Sequence, residues 1–145
     1  NFRITDLQCA LGISQLKNLE KFIKARRKIA SIYKKELKND DRFILPIEKK
    51  NYFSAYHIFP LQINFNKLKT KKRKIFKLFK KKGINLQVHY IPIHLQPFYR
   101  KKFGYKKNQF INAENFYKKE ISLPIYPTLK KTDLYKVIKE LRSLK

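Results

Sequence analysis

The chain has 145 residues, 43% of them hydrophobic and 14% aromatic, enough to bury a core and too apolar for a disordered segment despite 32% charged residues. A single cysteine, Cys9, excludes an internal disulfide framework and a cysteine-rich zinc site and fits a reducing cytoplasm, the expected location; no apolar run nears the ~20 residues that span a bilayer and no signal-peptide pattern opens the chain, so no membrane partner is expected. Against 36 Lys and Arg stand 10 Asp and Glu, a net charge of +26.

Thr5 to about Lys38 reads as one long helix. Thr5-Asp6-Leu7-Gln8 has the form of a capping box, and Leu16, Leu19, Ile23, Ala30, Tyr33 and Leu37 recur at helical spacing as an apolar stripe. Asn39-Asp40-Asp41 ends it, and a loop follows with a short extended piece at Phe43-Ile44-Leu45. Residues 56–65 read as a strand, with Leu61, Ile63 and Phe65 alternating with Gln62 and Asn64 and with Pro60 near its start or at an edge. Thr70 is placed to cap a helix reaching Lys82, its Ile75, Leu78 and Phe79 turned inward. Gly83 follows as a left-handed stop. Residues 84–90 read as a second strand, completing a strand–helix–strand unit. Pro92 and Pro97 suit a loop over residues 91–104. Asn112 is placed to cap a short helix to Glu120, and residues 122–127 are extended, with Pro124 and Pro127 keeping the whole run from being a central strand. Thr132 opens a last helix with Leu134, Val137, Ile138 and Leu141 on its inner face. The fold class is α+β: a small sheet with flanking helices and a long leading helix.

Little in the pattern carries chemistry unaided. His89 and His94 are five apart across a proline-containing loop, which is not the helical spacing of a metal pair, so no metal site is expected. His57 heads an apolar strand, where a structural histidine is the common case. Cys9 sits among Leu7, Ala10 and Leu11, where a small buried thiol is expected rather than a nucleophile. Gly12, Gly83 and Gly104 are too scattered for a phosphate loop. The charge leaves two readings open. Lysines spread over nearly every segment give a solvated basic surface, while lysines with exposed aromatics would make a nucleic-acid-binding module; the dispersion argues against a specific nucleic-acid partner.

Residues 1–12, Asn1-Phe2-Arg3-Ile4-Thr5-Asp6-Leu7-Gln8-Cys9-Ala10-Leu11-Gly12, followed by Gln15-Leu16, resemble the signature Asn-(Tyr/Phe)-Arg-hydrophobic-(Thr/Ser)-(Asp/Glu)-hydrophobic-Gln-x-Ala-hydrophobic-Gly of the DegT/DnrJ/EryC1/StrS aminotransferases. Ser54-Ala55-Tyr56-His57, the run from Gly83 to Pro92, Gln96-Pro97-Phe98-Tyr99 and Ser122-Leu123-Pro124 recur in that family's order. The resemblance implies a fold-type I, homodimeric enzyme using pyridoxal 5'-phosphate. Residues 1–145 would be its C-terminal part, with 1–38 the helix leading from a large domain and 39–145 the small domain. The Schiff-base lysine would precede Asn1, so no catalytic residue is assigned and this fragment alone would be inactive. Asn1 and Arg3 match positions at the cofactor phosphate, Asn1 reaching it from the neighbouring subunit. Gln87, Val88, His89 and Tyr90 match the stretch that meets the sugar nucleotide, with His94, Gln96 and Tyr99 weaker candidates. Strand alternation would put Gln87 and His89 on one face and Val88 and Tyr90 on the other. Residues 87–92 with 96–99 look most like the pseudaminic-acid members, which move an amino group from glutamate to C4 of a UDP-linked 4-keto-6-deoxy-N-acetylhexosamine. Members acting on other keto-sugar nucleotides share most of the same motifs.

Overall fold

The computed structural model describes residues 2–144. In chain order the elements are α1 (Asp6–Leu16), α2 (Leu19–Leu37), β1 (Phe43–Ile44), β2 (Phe59–Ile63), α3 (Lys72–Lys81), a 3-10 turn (Ile93–Leu95), α4 (Pro97–Phe103), α5 (Ile111–Lys119), β3 (Glu120–Leu123) and α6 (Lys131–Arg142). The three strands form an antiparallel sheet in the order β1-β2-β3. The α+β class read from the sequence holds.

The expected long helix is two. Its capping box forms: Gln8 N–H donates to Thr5 Oγ1 and Thr5 N–H to Gln8 Oε1. The break comes at Lys17 and Asn18. There Asn18 N–H bonds Gln15 O at 3.0 Å, three residues back, and the Asn18 amide side chain reaches Ser14 O. A short polar side chain that bonds nearby backbone competes with the helical ladder. The apolar stripe divides at the same place. Ile29, Ala30, Tyr33 and Leu37 of α2 are buried, whereas α1 buries nothing and leaves Leu7, Leu11 and Leu16 exposed. Cys9, on α1, is half-exposed rather than buried.

Around the sheet lies one core. Leu61 and Ile63 of β2, Ile121 of β3, Phe79 of α3 and Leu134, Ile138 and Leu141 of α6 are all fully buried. Tyr33 of α2 packs against Phe59 with the rings tilted by 41° and their centres 5.0 Å apart, and its hydroxyl donates to Pro124 O at 2.9 Å. Burial pushes that phenol's pKa up. Pro60 pairs with Ser122, while β1 reaches only Ile63 and Gln62. Pro60 therefore has a strand on one side only, which a residue without an amide hydrogen tolerates.

Several local expectations change. Helix α3 follows Lys71 with no side-chain cap, so Thr70 is not its cap, and Leu78 is exposed while Ile75 and Phe79 face the core. Asn112 and Thr132 likewise lie inside α5 and α6, behind Phe110 and Lys130. Residues 91–104 are not a plain loop: Pro97 occupies the first turn of α4, where its missing N–H costs nothing. Residues 84–90 are extended but pair with the sheet only through an isolated bridge between Gln87 and Ser122. The reason lies in β3, where the Glu120 side chain takes the His89 backbone N–H at 3.2 Å in place of a strand carbonyl.

Candidate functional site

The site is built by the end of α3. Gly83, at φ +72°, takes the left-handed conformation that closes a helix. Gly83 N–H bonds Lys80 O and Ile84 N–H bonds Phe79 O, the paired bonds of a Schellman stop, with Ile84 and Phe79 both buried. The chain leaves this anchor extended, with Ile84 and Leu86 buried and Asn85 and Gln87 outward. The reciprocal Gln87–Ser122 backbone bonds, 3.2 and 2.8 Å, fix it against β3.

Between this segment, β3 and α6 opens a cleft of about 470 Å³. Its polar wall includes His57, Asn85, Gln87, His89, Asp133 and Lys136. Of the four residues expected to meet a sugar nucleotide, Gln87 and His89 line this cleft together. Val88 and Tyr90 do not: Val88 is half-buried and Tyr90 is exposed elsewhere. The His89–Tyr90 peptide is cis. Behind His89 stands a polar relay. His89 Nδ1 lies 2.8 Å from Ser122 Oγ, and the Ser122 hydroxyl donates to Glu120 Oε1 at 2.5 Å. Glu120 is fully buried and Ser122 nearly so. Sequence reading gave neither a role, although Ser122 stands in the recognised Ser-Leu-Pro run. The signal was two polar residues at i and i+2 in an otherwise apolar strand, Glu120-Ile121-Ser122-Leu123.

The other two histidines exchange roles. His57 is exposed on the cleft wall, not a buried structural residue. His94, a weak candidate for substrate contact, is buried with its Nε2 3.0 Å from Glu114 Oε1 and its ring 4.7 Å from that of Phe110. The His94 hydrogen bond, joined by the Asn108 N–H at 2.6 Å, lowers the Glu114 pKa. This pair ties the 3-10 turn to α5. Gln96 bonds the neighbouring Ile91 carbonyl, and Tyr99 lies exposed on α4.

A second cluster orders residues 46–56. Arg27 of α2 grips Glu48 through both nitrogens, 2.7 and 3.1 Å, and also donates to Ser54 O. Ser54 N–H and Tyr56 O–H donate to the same carboxylate. The Arg27 hydrogen bond, then that of Ser54, brings the Glu48 pKa down to about 2. Thus Ser54 and Tyr56 of the recognised Ser-Ala-Tyr-His run hold a loop.

At the other end, Asn1 lies outside the described residues. Arg3 is exposed just before α1, and its guanidinium bonds no described residue. Thr5 and Gln8 satisfy part of the first turn of α1; free helix-terminal amides and a guanidinium such as that of Arg3, which precedes the helix in sequence, are donors of the kind a phosphate dianion takes. Arg3 lines no part of the cleft at Gln87 and His89. Among the described residues no three His, Cys, Asp or Glu side chains gather as a metal site. No described helix is long and apolar enough to cross a membrane.

Comparison with known proteins gives these arrangements a context. The family model of the DegT/DnrJ/EryC1/StrS aminotransferases matches residues 1–142. An uncharacterised protein of Methanocaldococcus jannaschii is 45% identical over 143 residues, 99% of this chain and 37% of that protein. The UDP-4-amino-4,6-dideoxy-N-acetyl-beta-L-altrosamine transaminase of Campylobacter jejuni is 38% identical over 134 residues, 92% of this chain and 35% of the enzyme. Among solved structures, the Helicobacter pylori aminotransferase PseC, involved in the biosynthesis of pseudoaminic acid, superposes with a TM-score of 0.86 at 31% identity, covering 99% of this chain and 38% of PseC. The chain thus spans little more than a third of the length of these relatives. With the ordered motifs, the shared fold and a match along nearly its whole length, this chain belongs to the DegT/DnrJ/EryC1/StrS aminotransferase family.

Proposed function

We propose that the chain is the C-terminal part of a homodimeric, pyridoxal-phosphate-dependent aminotransferase that moves an amino group from glutamate to C4 of a UDP-linked 4-keto-6-deoxy-N-acetylhexosamine. The family match across residues 1–142 carries this reading, and the transaminase names of the C. jejuni and H. pylori relatives support the choice of sugar. In it, residues 1–38 lead from the large domain and 39–145 form the small domain.

Each part of the chain then has a task. Asn1 and Arg3 hold the cofactor phosphate, Asn1 across the subunit boundary. When bound, the cofactor supplies the electron sink that labilises bonds at the amino-bearing carbon. Gln87 and His89, presented by the bridge to Ser122, form part of the sugar-nucleotide wall. Gln87 is exposed and able both to donate and accept, which suits a hydroxyl-rich ligand. Val88 and Tyr90 do not line this cleft, and any contact they make with substrate lies outside it. The lysine that carries the cofactor belongs to the large domain, so the 145-residue chain has no turnover of its own.

The test uses the full-length protein loaded with pyridoxal phosphate. Incubation with L-glutamate and the UDP-4-keto sugar should give the 4-amino sugar by mass spectrometry and one equivalent of 2-oxoglutarate. Amination of a different keto-sugar nucleotide and not this one moves the specificity elsewhere in the family. Absence of amino transfer to every keto-sugar nucleotide by cofactor-loaded protein overturns the proposal.

A further inference from the structure

The relay behind His89 has a chemical direction. The Ser122 hydroxyl carries one hydrogen. In its carboxylate form Glu120 only accepts: Oε2 takes the His89 backbone N–H and Oε1 faces Ser122 at 2.5 Å. The Ser122 hydrogen therefore points at Glu120. Its oxygen is left with lone pairs alone for His89 Nδ1, 2.8 Å away, so Nδ1 must carry a proton. A neutral imidazole has a single N–H, which leaves Nε2 as a bare acceptor. Nε2 bonds no described residue, and no buried side-chain nitrogen or oxygen among the described residues lacks a partner. Nε2 is therefore open, on a side chain that lines the cleft.

A carboxylate fully withdrawn from water is costly to keep. Filling space alone would be served by apolar residues, as Ile121 and Leu123 serve on the same strand. Lys72, whose Nζ bonds Tyr117 O, lies near enough for the Glu120 charge to raise its pKa, although burial lowers that pKa more. The outlay at Glu120 ends on His89.

We propose that Glu120, as the carboxylate, and Ser122 are positioning residues that hold His89 as its Nδ1–H tautomer, so that Nε2 accepts a hydrogen bond from a donor on the ligand in the cleft. The proposal deepens the preceding section's reading, on which that ligand is a sugar nucleotide and its donor a hydroxyl, amide or imide group. A ligand presenting only an acceptor at this point would face a lone pair and be rejected.

Glu120→Gln gives a sharp test. The glutamine must keep its oxygen toward the His89 backbone N–H, because its amide hydrogens would clash there. Its NH₂ then faces Ser122 and donates to it. The Ser122 hydrogen is released toward Nδ1, and the imidazole proton moves to Nε2. The substitution thus inverts the tautomer and turns the acceptor into a donor.

The experiment is nitrogen-resolved NMR of histidine-labelled, full-length holoenzyme without substrate, about two pH units above the ordinary imidazole pKa of ~6.5. Wild type should show His89 protonated at Nδ1 and bare at Nε2, and Ser122→Thr, which keeps the hydroxyl, should match it. Glu120→Gln should show the reverse. In turnover with the UDP-4-keto sugar, Glu120→Gln should raise KM roughly three- to tenfold with kcat within about twofold, the pattern of a lost binding contact. A wild-type His89 protonated at Nε2 overturns the proposal, and does so even if every variant fails to fold. An inverted tautomer with unchanged KM overturns the ligand half of it. Because the NMR arm needs no substrate, absence of aminotransferase activity would count against the proposed function and leave the tautomer assignment to stand or fall by itself.

Discussion

Helices α1 and α2 follow one another with two residues between them, yet different forces hold them. α1 has a complete capping box and no buried residue, and its Leu7, Leu11 and Leu16 face outward. α2 has no side-chain cap at Asn18, but Ile29, Ala30, Tyr33 and Leu37 enter the core and Arg27 anchors the loop at Glu48. Isolated helices of about 11 residues are marginal in water. α1 is thus a locally specified helix whose apolar side finds no partner among the described residues, and α2 is specified by what it packs on. Helical spacing in a sequence says that a face is apolar; it does not say what meets that face.

The largest effect should separate the two directly. Phe59 is fully buried and packs on Tyr33 of α2 and on Tyr56. Phe59→Ala should destabilise the chain by about 3–5 kcal/mol, from lost burial and the cavity left behind. Leu11→Ala, in the middle of α1, should stay within about 0.5 kcal/mol. Urea denaturation of the two variants makes the comparison. Equal losses would mean that α1 belongs to the core.

The same contrast extends to function. The proposed task of α1 lies at its N-terminus. In the full-length protein, Asn1→Ala should lower affinity for pyridoxal phosphate by about ten- to a hundredfold, the loss of one hydrogen bond of roughly 1.5–3 kcal/mol to a charged group. Thermal unfolding of the cofactor-free protein should be unchanged. Arg3→Ala should act in the same direction. Wild-type affinity in Asn1→Ala removes the phosphate role.

Acid should act on α2 instead. The Glu48 pKa lies at about 2 rather than the ordinary 4.5, chiefly through its hydrogen bond from Arg27. A carboxylate whose pKa is lower folded than unfolded adds stability above the unfolded value, and that stability fades as pH falls toward the folded one. The contribution should therefore be intact above about pH 4.5 and disappear as pH approaches 2. Asp40, bonded by Arg42, and Glu114, bonded by His94, have the same sign. Melting temperatures of wild type and Glu48→Gln should differ at pH 6 and converge near pH 2. A constant gap across that range would mean that the ion pair contributes nothing.

What could be read from the sequence divides along the same line. The Thr5 capping box, the left-handed stop at Gly83 and the inner face of α6 were legible because each is written within a few neighbouring residues. The break at Asn18 was not, since no proline or glycine marks it and an asparagine side chain turned back on Ser14 O suffices. Residues 84–90 alternate like a strand, but Glu120 intercepts the His89 amide, an interaction spanning 31 positions. The cleft was half legible. Family motifs pointed to residues 87–90, and only the bridge to Ser122 selects Gln87 and His89 over Val88 and Tyr90. His94 and Glu114, twenty residues apart, gave no local sign of meeting.

The smallest expected effect is the most discriminating. Thr5 Oγ1 accepts the Gln8 N–H and Thr5 O the Cys9 N–H, so Thr5→Ala removes the side-chain half of the cap at a cost of about 1 kcal/mol. Because α1 buries nothing, that cost should appear as local fraying and not as a loss of core stability. Amide exchange at Gln8 should quicken by roughly fivefold, the Boltzmann factor for about 1 kcal/mol, while exchange at Leu61 and Ile121 and the melting temperature stay as in wild type. A fall in melting temperature of the 145-residue chain by itself would show α1 coupled to the core and remove the distinction between the two helices.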